Sequence, residues 1–161
     1  MPEVVFADID VLRTGGKVDD YFIIHLLKPA KAPEVKITLK ASYLMCEHEP
    51  RFVLHGTEGS FVKYGLDPQE EALTKGLLPT TPHWGEEDRT QWGILHTEKD
   101  GNIVRESYPT LPGNYAAFYE NVYQHIRQGI PLLSDAREVV GIIRLIEAAW
   151  ESSRAQSVIK L

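Results

Sequence analysis

The sequence lacks several features that define common classes of protein. Its 161 residues include a single cysteine, Cys46, which excludes an internal disulfide framework. No apolar run approaches the roughly 18 residues that mark a membrane span, and the N-terminus has no basic region followed by an apolar run, as a secretion signal would. These absences favour a cytoplasmic protein with no membrane partner, in which we expect Cys46 to be a buried or half-buried strand residue.

Basic residues and phosphate-binding motifs are also scarce. Lys and Arg number 17 against 23 Asp and Glu, which gives a net charge of −6 with no basic run. Because a phosphate backbone requires a basic face, this balance argues against nucleic acid as a partner. No strand pattern is followed by Gly-x-Gly-x-x-Gly, and no Gly-x-x-x-x-Gly-Lys-Ser/Thr occurs. The histidines lack His-x-x-x-His spacing, so no metal site is expected.

The first 65 residues do contain a succession of strand patterns. Apolar, β-branched runs separated by turn residues lie at 3–13, 18–27, 34–44 and 51–64. The last run is the most distinctive, because its two halves flank a Gly-x-x-Gly corner at Gly56 and Gly59. That pattern predicts two strands joined by a tight turn. Sequential hairpins of this kind build an antiparallel sheet.

Two of these strands differ in the pattern of their faces. In the third strand one face is apolar and the other polar, which predicts that the apolar row Val35, Ile37, Leu39, Ala41 and Tyr43 is buried. In the second strand both faces are apolar, with Tyr21, Ile23 and Leu27 on one and Phe22, Ile24 and Leu26 on the other. Helices of this chain can cover one face. The other face requires a partner, either another subunit or a domain outside this sequence.

The rest of the chain predicts three helices and three more strands. A short helix is expected at 67–76 with Asp67 as its N-cap, a hairpin at 93–98 and 102–108, two long helices at about 114–128 and from 135 onward, and a closing edge strand at 157–161. Together these patterns predict an α+β fold, with an open-faced, predominantly antiparallel sheet and helices packed on one face. At this length we expect residues 1–161 to form a single domain.

The loop at 81–89 is the best local candidate for function. It is rich in side chains that bind small polar molecules, and loops often carry binding sites. The predicted substrate-side residues are His83, Trp84 and Arg89 of this loop, with Lys63 and Tyr64 after the glycine corner. An ordinary surface loop with Trp84 against the core is the alternative interpretation. A small hydrolase using His83, Glu86 and Arg89 is another.

Three stretches of the chain, taken in their order and spacing, carry a resemblance to a known family. They are Val-Asp-Asp-Tyr-Phe-Ile-Ile at 18–24, Val-Leu-His-Gly-Thr-Glu-Gly-Ser-Phe at 53–61, and the two closing helices at 113–153. The sequence resembles the C-terminal part of the glucose-fructose oxidoreductase / inositol dehydrogenase (Gfo/Idh/MocA) family of NAD(P)-dependent sugar and polyol dehydrogenases. The resemblance covers nearly the whole chain.

The resemblance implies a C-terminal domain that forms the substrate side of the active site and the subunit interfaces of a dehydrogenase. The full-length protein would use NAD or NADP on a sugar- or polyol-like hydroxyl. The family's N-terminal Rossmann domain, its Glu-Lys-Pro lysine and its Asp-x-x-x-His pair have no counterpart here. We therefore assign no catalytic, cofactor-binding or metal residue, and expect this chain alone to be inactive and to bind no dinucleotide.

The resemblance also implies three partners. They are the chain's own Rossmann domain, a further copy of the chain through the open sheet face, and a small-molecule substrate. A free-standing α+β binding or dimerisation module without redox activity is the alternative, because a sheet with one uncovered face could pair without any enzyme attached.

Overall fold

The computed structural model describes all 161 residues and divides them into two compact units. The first unit comprises residues 1–47 and 134–161, and the second comprises residues 48–133. In chain order the elements are β1 (Pro2–Asp10), β2 (Tyr21–Pro29), β3 (Lys36–Ser42), β4 (Phe52–His55), β5 (Gly59–Lys63), α1 (Gln69–Thr74), β6 (Gly93–Lys99), β7 (Asn102–Tyr108), α2 (Ala116–Gln128), α3 (Ala136–Ala155) and β8 (Ile159–Lys160).

Each unit contains one four-stranded antiparallel sheet, so the predicted α+β class is confirmed. The first sheet has the order β3-β2-β1-β8 and the second the order β4-β5-β6-β7. The predicted closing strand is also confirmed, since β8 lies at the sheet edge and pairs with Val4 and Val5 of β1. None of the helices is long and apolar enough to cross a bilayer. The single-domain expectation for residues 1–161 stays a prediction.

The core of the first unit lies between α3 and one face of the sheet. Val5 of β1 and Leu26 of β2 are direct partners in the ladder and are buried together. Ala148 and Ala149 of α3 are buried against this face, and Ile24 packs at its margin. The small alanine side chains allow the helix to approach the sheet closely. This confirms that a helix covers the Ile24 and Leu26 face of β2.

The apolar row of β3 is exposed, so the prediction that it is buried is wrong for this chain. Ile37 and Leu39 are 37% and 41% exposed. The register places them beside Leu26 and Ile24, on the side of the sheet where α3 lies. The buried cluster contains no residue of β3, because α3 packs over β1, which is two strands away from β3 in the sheet order. The expectation that Cys46 is a buried or half-buried strand residue is also wrong. Cys46 is exposed and lies in a bend after β3.

Two serines of α3 complete the hydrogen bonding of β1 beyond the end of β8. The amide of Ala7 donates to Ser152 Oγ at 3.0 Å, and the amide of Ile9 donates to Ser153 Oγ at 2.9 Å. The Ser152 hydroxyl donates in turn to the carbonyl of Ser157 at 2.6 Å, and Ser152 is fully buried. The end of α3 therefore satisfies a strand edge that no strand covers.

The connection between β1 and β2 is closed by the buried side chain of Asp20. Its carboxylate accepts hydrogen bonds from the Leu12 amide at 2.7 Å and from Arg13 Nε at 2.7 Å. The Arg13 hydrogen bond, followed by the Leu12 amide, holds the pKa of Asp20 below its ordinary value. The clamp is therefore strongest above the ordinary aspartate pKa and is lost as the pH falls through the lowered one.

The second unit is a four-stranded meander with α1 and α2. The Gly56–Gly59 corner is confirmed, because the Gly56 amide donates to the Gly59 carbonyl at 2.8 Å. Helix α1 begins slightly later than predicted. Pro68 occupies its N-cap position, while Asp67 lies one residue earlier and accepts from the Gln69 amide at 2.9 Å.

The apolar stripe of α2 is also largely uncovered. Phe118, Tyr119 and Ile126, which lie on this stripe, are all exposed. The helix ends as predicted at Gly129, which adopts a left-handed conformation with φ 72°. Contiguous exposed apolar side chains are typical of surfaces that contact another protein surface.

Substitution of Ser152 tests the attachment of α3 to the edge of β1. Ser152→Ala removes the acceptor of the buried Ala7 amide, so we expect a loss of about 1–3 kcal/mol in the free energy of unfolding. Urea denaturation measures this change. Ser157→Ala is the matched control, because only the backbone of Ser157 takes part in these hydrogen bonds, and we expect a change within about 0.5 kcal/mol. Equal midpoints for the two variants would contradict this role for Ser152.

Candidate functional site

The candidate site is the segment between α1 and β6, in the second unit. It runs from residue 75 to residue 92 and contains three of the five predicted substrate-side residues. A short 3-10 turn, Arg89–Gln91, closes it. We call this segment the site loop. Three groups of contacts within the unit hold it in place.

The first group of contacts is centred on the side chain of Gln69, which is fully buried. Gln69 Oε1 accepts hydrogen bonds from Trp84 Nε1 at 2.8 Å and from the Tyr115 amide at 2.9 Å. Gln69 Nε2 donates to both carboxylate oxygens of Asp67 at 3.0 Å. A single amide side chain thereby ties the site loop to the beginning of α1 and to the residue before α2. The Trp84 indole N–H is used internally, which leaves only the ring to face a ligand.

The second group of contacts is a close approach of two glycines. The Gly113 amide donates to the Gly85 carbonyl at 3.0 Å. Gly85 has a φ of 74°, and a Cβ at this position would collide with the Gly113 backbone. A Cβ on Gly113 would in turn collide with the side chains of Asp67 and Gln69. Both glycines are therefore required by the space around them, and Gly85 by its conformation as well.

The third group of contacts is a buried ion pair between Lys63, at the end of β5, and Glu87 of the site loop. Lys63 Nζ lies 2.5 Å from Glu87 Oε1, and the two side chains are only 12% and 6% exposed. The ammonium also donates to the carbonyls of Gln91 at 2.9 Å and Tyr64 at 3.3 Å. All three of its hydrogens thus have acceptors. Glu87 Oε2 is buried without a partner.

The other predicted substrate-side residues lie on the surface. His83 Nδ1 is 2.9 Å from Glu86 Oε2, and both side chains are largely exposed. The Arg89 guanidinium lies 5.6 Å from the centre of the Trp92 ring. Tyr64 is exposed beside Lys63. The structure therefore brings Lys63 and Trp84 into the internal contacts of the site loop and leaves His83, Arg89 and Tyr64 free to meet a ligand.

Asp88 fixes the start of the 3-10 turn. Its Oδ1 accepts from the Thr90 hydroxyl at 2.6 Å and from the Thr90 amide at 2.8 Å. These hydrogen bonds, the hydroxyl first, hold the pKa of Asp88 below its ordinary value. The carboxylate is therefore charged at neutral pH.

The exposed side chains of the site loop offer hydrogen-bonding groups for a ligand. The His83–Glu86 pair has no hydrogen bond to a Ser, Thr or Cys side chain, so the pair does not activate the nucleophile that a hydrolase would need. No group of three His, Cys, Asp or Glu residues is placed to hold a metal ion. The half-buried ring of Trp84 and the hydrogen-bonding groups of His83, Arg89 and Tyr64 suit a small polar ligand.

The residues of this chain do not fit a dinucleotide. Such a site requires a glycine-rich turn that leads from a strand into a helix N-terminus. The Gly56–Gly59 corner leads instead into strand β5, and every strand pair in both sheets is antiparallel.

Three residues of the site were missed at the level of the sequence. Gln69 fits the pattern of an ordinary helix start, and Glu87 lies between two other acidic residues. Gly113 precedes the first long helix and is typical of a simple helix boundary. The sequence gives only one sign of these contacts: a glutamine, a tryptophan and a glycine lie in segments that have neither helical nor strand periodicity.

Comparison with known proteins gives a match over nearly the whole chain. Residues 2–161 match the family described as "Oxidoreductase family, C-terminal alpha/beta domain". The scyllo-inositol 2-dehydrogenase (NADP(+)) IolW of Bacillus subtilis is 33% identical over 161 residues, which are 100% of this chain and 44% of that protein. The uncharacterised oxidoreductase YhhX of Escherichia coli is 32% identical over 158 residues, 98% of this chain and 44% of that protein. The chain thus spans less than half the length of these curated relatives.

Solved structures show the same fold. A crystal structure from Bacteroides fragilis, described as an oxidoreductase, matches with a TM-score of 0.94 and 58% identity. The match covers 100% of this chain and 48% of that one. An oxidoreductase from Bacillus cereus has a TM-score of 0.86 and 34% identity, covering 99% of this chain and 46% of that one.

Substitution of Lys63 tests whether the buried ion pair holds the site loop. Lys63→Met leaves the Glu87 carboxylate buried and unpaired, so we expect a loss of about 3–5 kcal/mol in the free energy of unfolding. The double variant with Glu87→Met should recover part of this loss because no charge remains buried.

The exposed pair Lys75–Glu71 of the same unit provides the matched control. Its two side chains are largely exposed and are four residues apart, with Glu71 on α1 and Lys75 at its C-cap. Lys75→Met should therefore cost no more than about 0.5 kcal/mol. Urea denaturation compares the variants. An equally small cost at Lys63 would show that the site loop does not depend on the pair.

Proposed function

The chain belongs to the Gfo/Idh/MocA oxidoreductase family, as its C-terminal alpha/beta domain, and on that premise we propose that it is the substrate-side part of an NAD(P)-dependent dehydrogenase. The reaction is hydride transfer between the nicotinamide and a sugar- or polyol-like hydroxyl. The observation that carries this proposal is the match of residues 2–161 to the family, together with 33% identity to a relative named as an inositol dehydrogenase using NADP+.

The division of labour follows from what this chain contains and lacks. A nicotinamide supplies the redox chemistry as hydride donor or acceptor. Its binding belongs to an N-terminal Rossmann domain, because the residues here do not fit a dinucleotide. Catalytic groups are assigned to that domain and the segment that follows it. The part left to this chain is to present binding groups to the substrate.

The site loop is the proposed wall of the substrate site. Gln69 and the Lys63–Glu87 pair fix its backbone, and Asp88 fixes the start of the 3-10 turn. His83 and Arg89 then offer donors and acceptors to hydroxyl groups, while the Trp84 ring offers an apolar surface. A rigid support of this kind reduces the entropy lost when a substrate binds.

The open face of the first sheet is the proposed subunit interface. This face is opposite α3 and carries Phe6, whose ring stacks on His25 with centroids 6.3 Å apart. The register places Val4 beside Leu27 on the same face. Phe6 is 40% exposed. An apolar sheet face with no cover in its own chain is stabilised when a second copy buries it.

The free-standing module is not favoured, because the family to which the chain belongs consists of oxidoreductases. It predicts the same self-association but no turnover. An activity assay on the full-length protein therefore separates the two functions.

The activity assay follows nicotinamide absorbance while the full-length protein is offered sugars and cyclitols with NAD+ or NADP+. We expect turnover, and we expect Arg89→Ala to raise the KM for the substrate about tenfold, as loss of a charged hydrogen bond does. Lys99→Met, at the exposed end of β6, is the control and should leave the KM unchanged. Absence of turnover with every substrate and both cofactors would refute the dehydrogenase proposal.

Light scattering tests the proposed interface. We expect a mass of at least twice the 18.2 kDa of the single chain. Phe6→Glu places a charge on the open face and should give the single-chain mass. Leu39→Glu is a matched control, since Leu39 is equally exposed but lies on the other face, and it should leave the mass unchanged. A strict monomer at high concentration, or equal effects of both variants, would exclude this interface.

A further inference from the structure

A cleft in the first unit lies outside both surfaces discussed so far. It has a volume of about 400 Å³ and lies where the C-terminal part of α3 meets the end of β1. Its lining residues are Ile9, Asp19, Trp150, Ser153 and Arg154. We propose that this cleft binds a polyhydroxylated ring, such as a pyranose or a cyclitol. The proposal concerns binding alone and does not depend on the dehydrogenase function.

The walls of the cleft are held in place before any ligand arrives. Trp150 Nε1 donates to Asp19 Oδ2 at 3.1 Å, which fixes the plane of the indole ring. Ser153 Oγ accepts from the Ile9 amide and donates to the Ile9 carbonyl at 3.2 Å, which joins the floor of the cleft to the helix. The Asp20 clamp fixes the backbone beside Asp19. Binding would therefore order few additional groups.

Three ligand-binding groups in the cleft remain available. The Trp150 ring is partly exposed. Asp19 uses only Oδ2, so Oδ1 is free to accept a hydrogen bond. The guanidinium of Arg154, one helical turn after Trp150, has no hydrogen-bond or ion-pair partner in the chain and can donate several hydrogen bonds.

A polyhydroxylated ring is the ligand class that uses all three groups. Its C–H face packs on the indole, one hydroxyl donates to Asp19, and another accepts from Arg154. A small anion would use Arg154 but would meet the charge of Asp19. A purely apolar ligand would bury both charged groups without a partner, which is costly. The volume also lies within the range of small-molecule sites.

NMR of the chain with ¹⁵N-labelled tryptophan tests the proposal. The three indole signals, from Trp84, Trp92 and Trp150, are assigned with single Trp→Phe variants. Titration with myo-inositol and methyl glucoside should shift the Trp150 signal in a saturable way, with a dissociation constant in the millimolar range. The Trp92 signal should not move. Sodium phosphate and cyclohexanol, as an anion and an apolar ring, should leave all three signals in place.

Variants of the two charged groups make the test specific. Arg154→Gln and Asp19→Asn should each weaken binding about tenfold, because each alters a hydrogen bond to a charged group. Arg144→Gln, an exposed arginine of the same helix outside the cleft, should bind like the parent chain. The proposal is overturned by a non-saturable shift, by a larger response to phosphate or cyclohexanol, or by unchanged affinity in both cleft variants. None of these outcomes bears on nicotinamide-dependent turnover.

Discussion

The architecture of the first unit depends on how the exposed edge of β1 is satisfied. A two-residue strand, β8, covers only Val4 and Val5. Beyond it, buried amide groups would lack acceptors if Ser152 and Ser153 did not supply them. These two hydrogen bonds set the position of α3 on the sheet. They therefore also set which face of the sheet is the core and which face is open, and they build the floor of the cleft at Trp150.

In the second unit, polar side chains hold the site loop in place. A long loop without regular structure needs specific contacts to order its backbone. Gln69, the Lys63–Glu87 pair and the Gly85–Gly113 contact do this in place of an apolar core. Because these contacts fix the loop from within, the exposed groups of His83 and Arg89 have a rigid support. Two of the residues first expected to touch substrate, Lys63 and Trp84, contribute chiefly by holding that support.

The helices and strands could be predicted from the sequence, but which of their apolar faces are buried could not. Alternation and helical periodicity identify which residues share a face, so the strands, both long helices and the Gly56–Gly59 corner were found. Periodicity does not show whether the element that packs against an apolar face belongs to the same chain. For this reason the apolar row of β3 was predicted to be buried and is exposed.

The polar framework of the site loop could not be predicted for a different reason. Gln69 meets Trp84 and Tyr115, which are 15 and 46 residues away. No local pattern reports such long-range contacts. The family resemblance supplied the functional class instead, because it depends on the order of motifs along the whole chain.

We propose that this chain carries the substrate side of an oxidoreductase and not its dinucleotide site. Isothermal titration of the chain with NAD+ and NADP+ tests it most directly. The account predicts no measurable heat of binding for either dinucleotide, since no strand–glycine–helix turn is present to hold the pyrophosphate. Saturable binding in the micromolar range to this chain alone would contradict it.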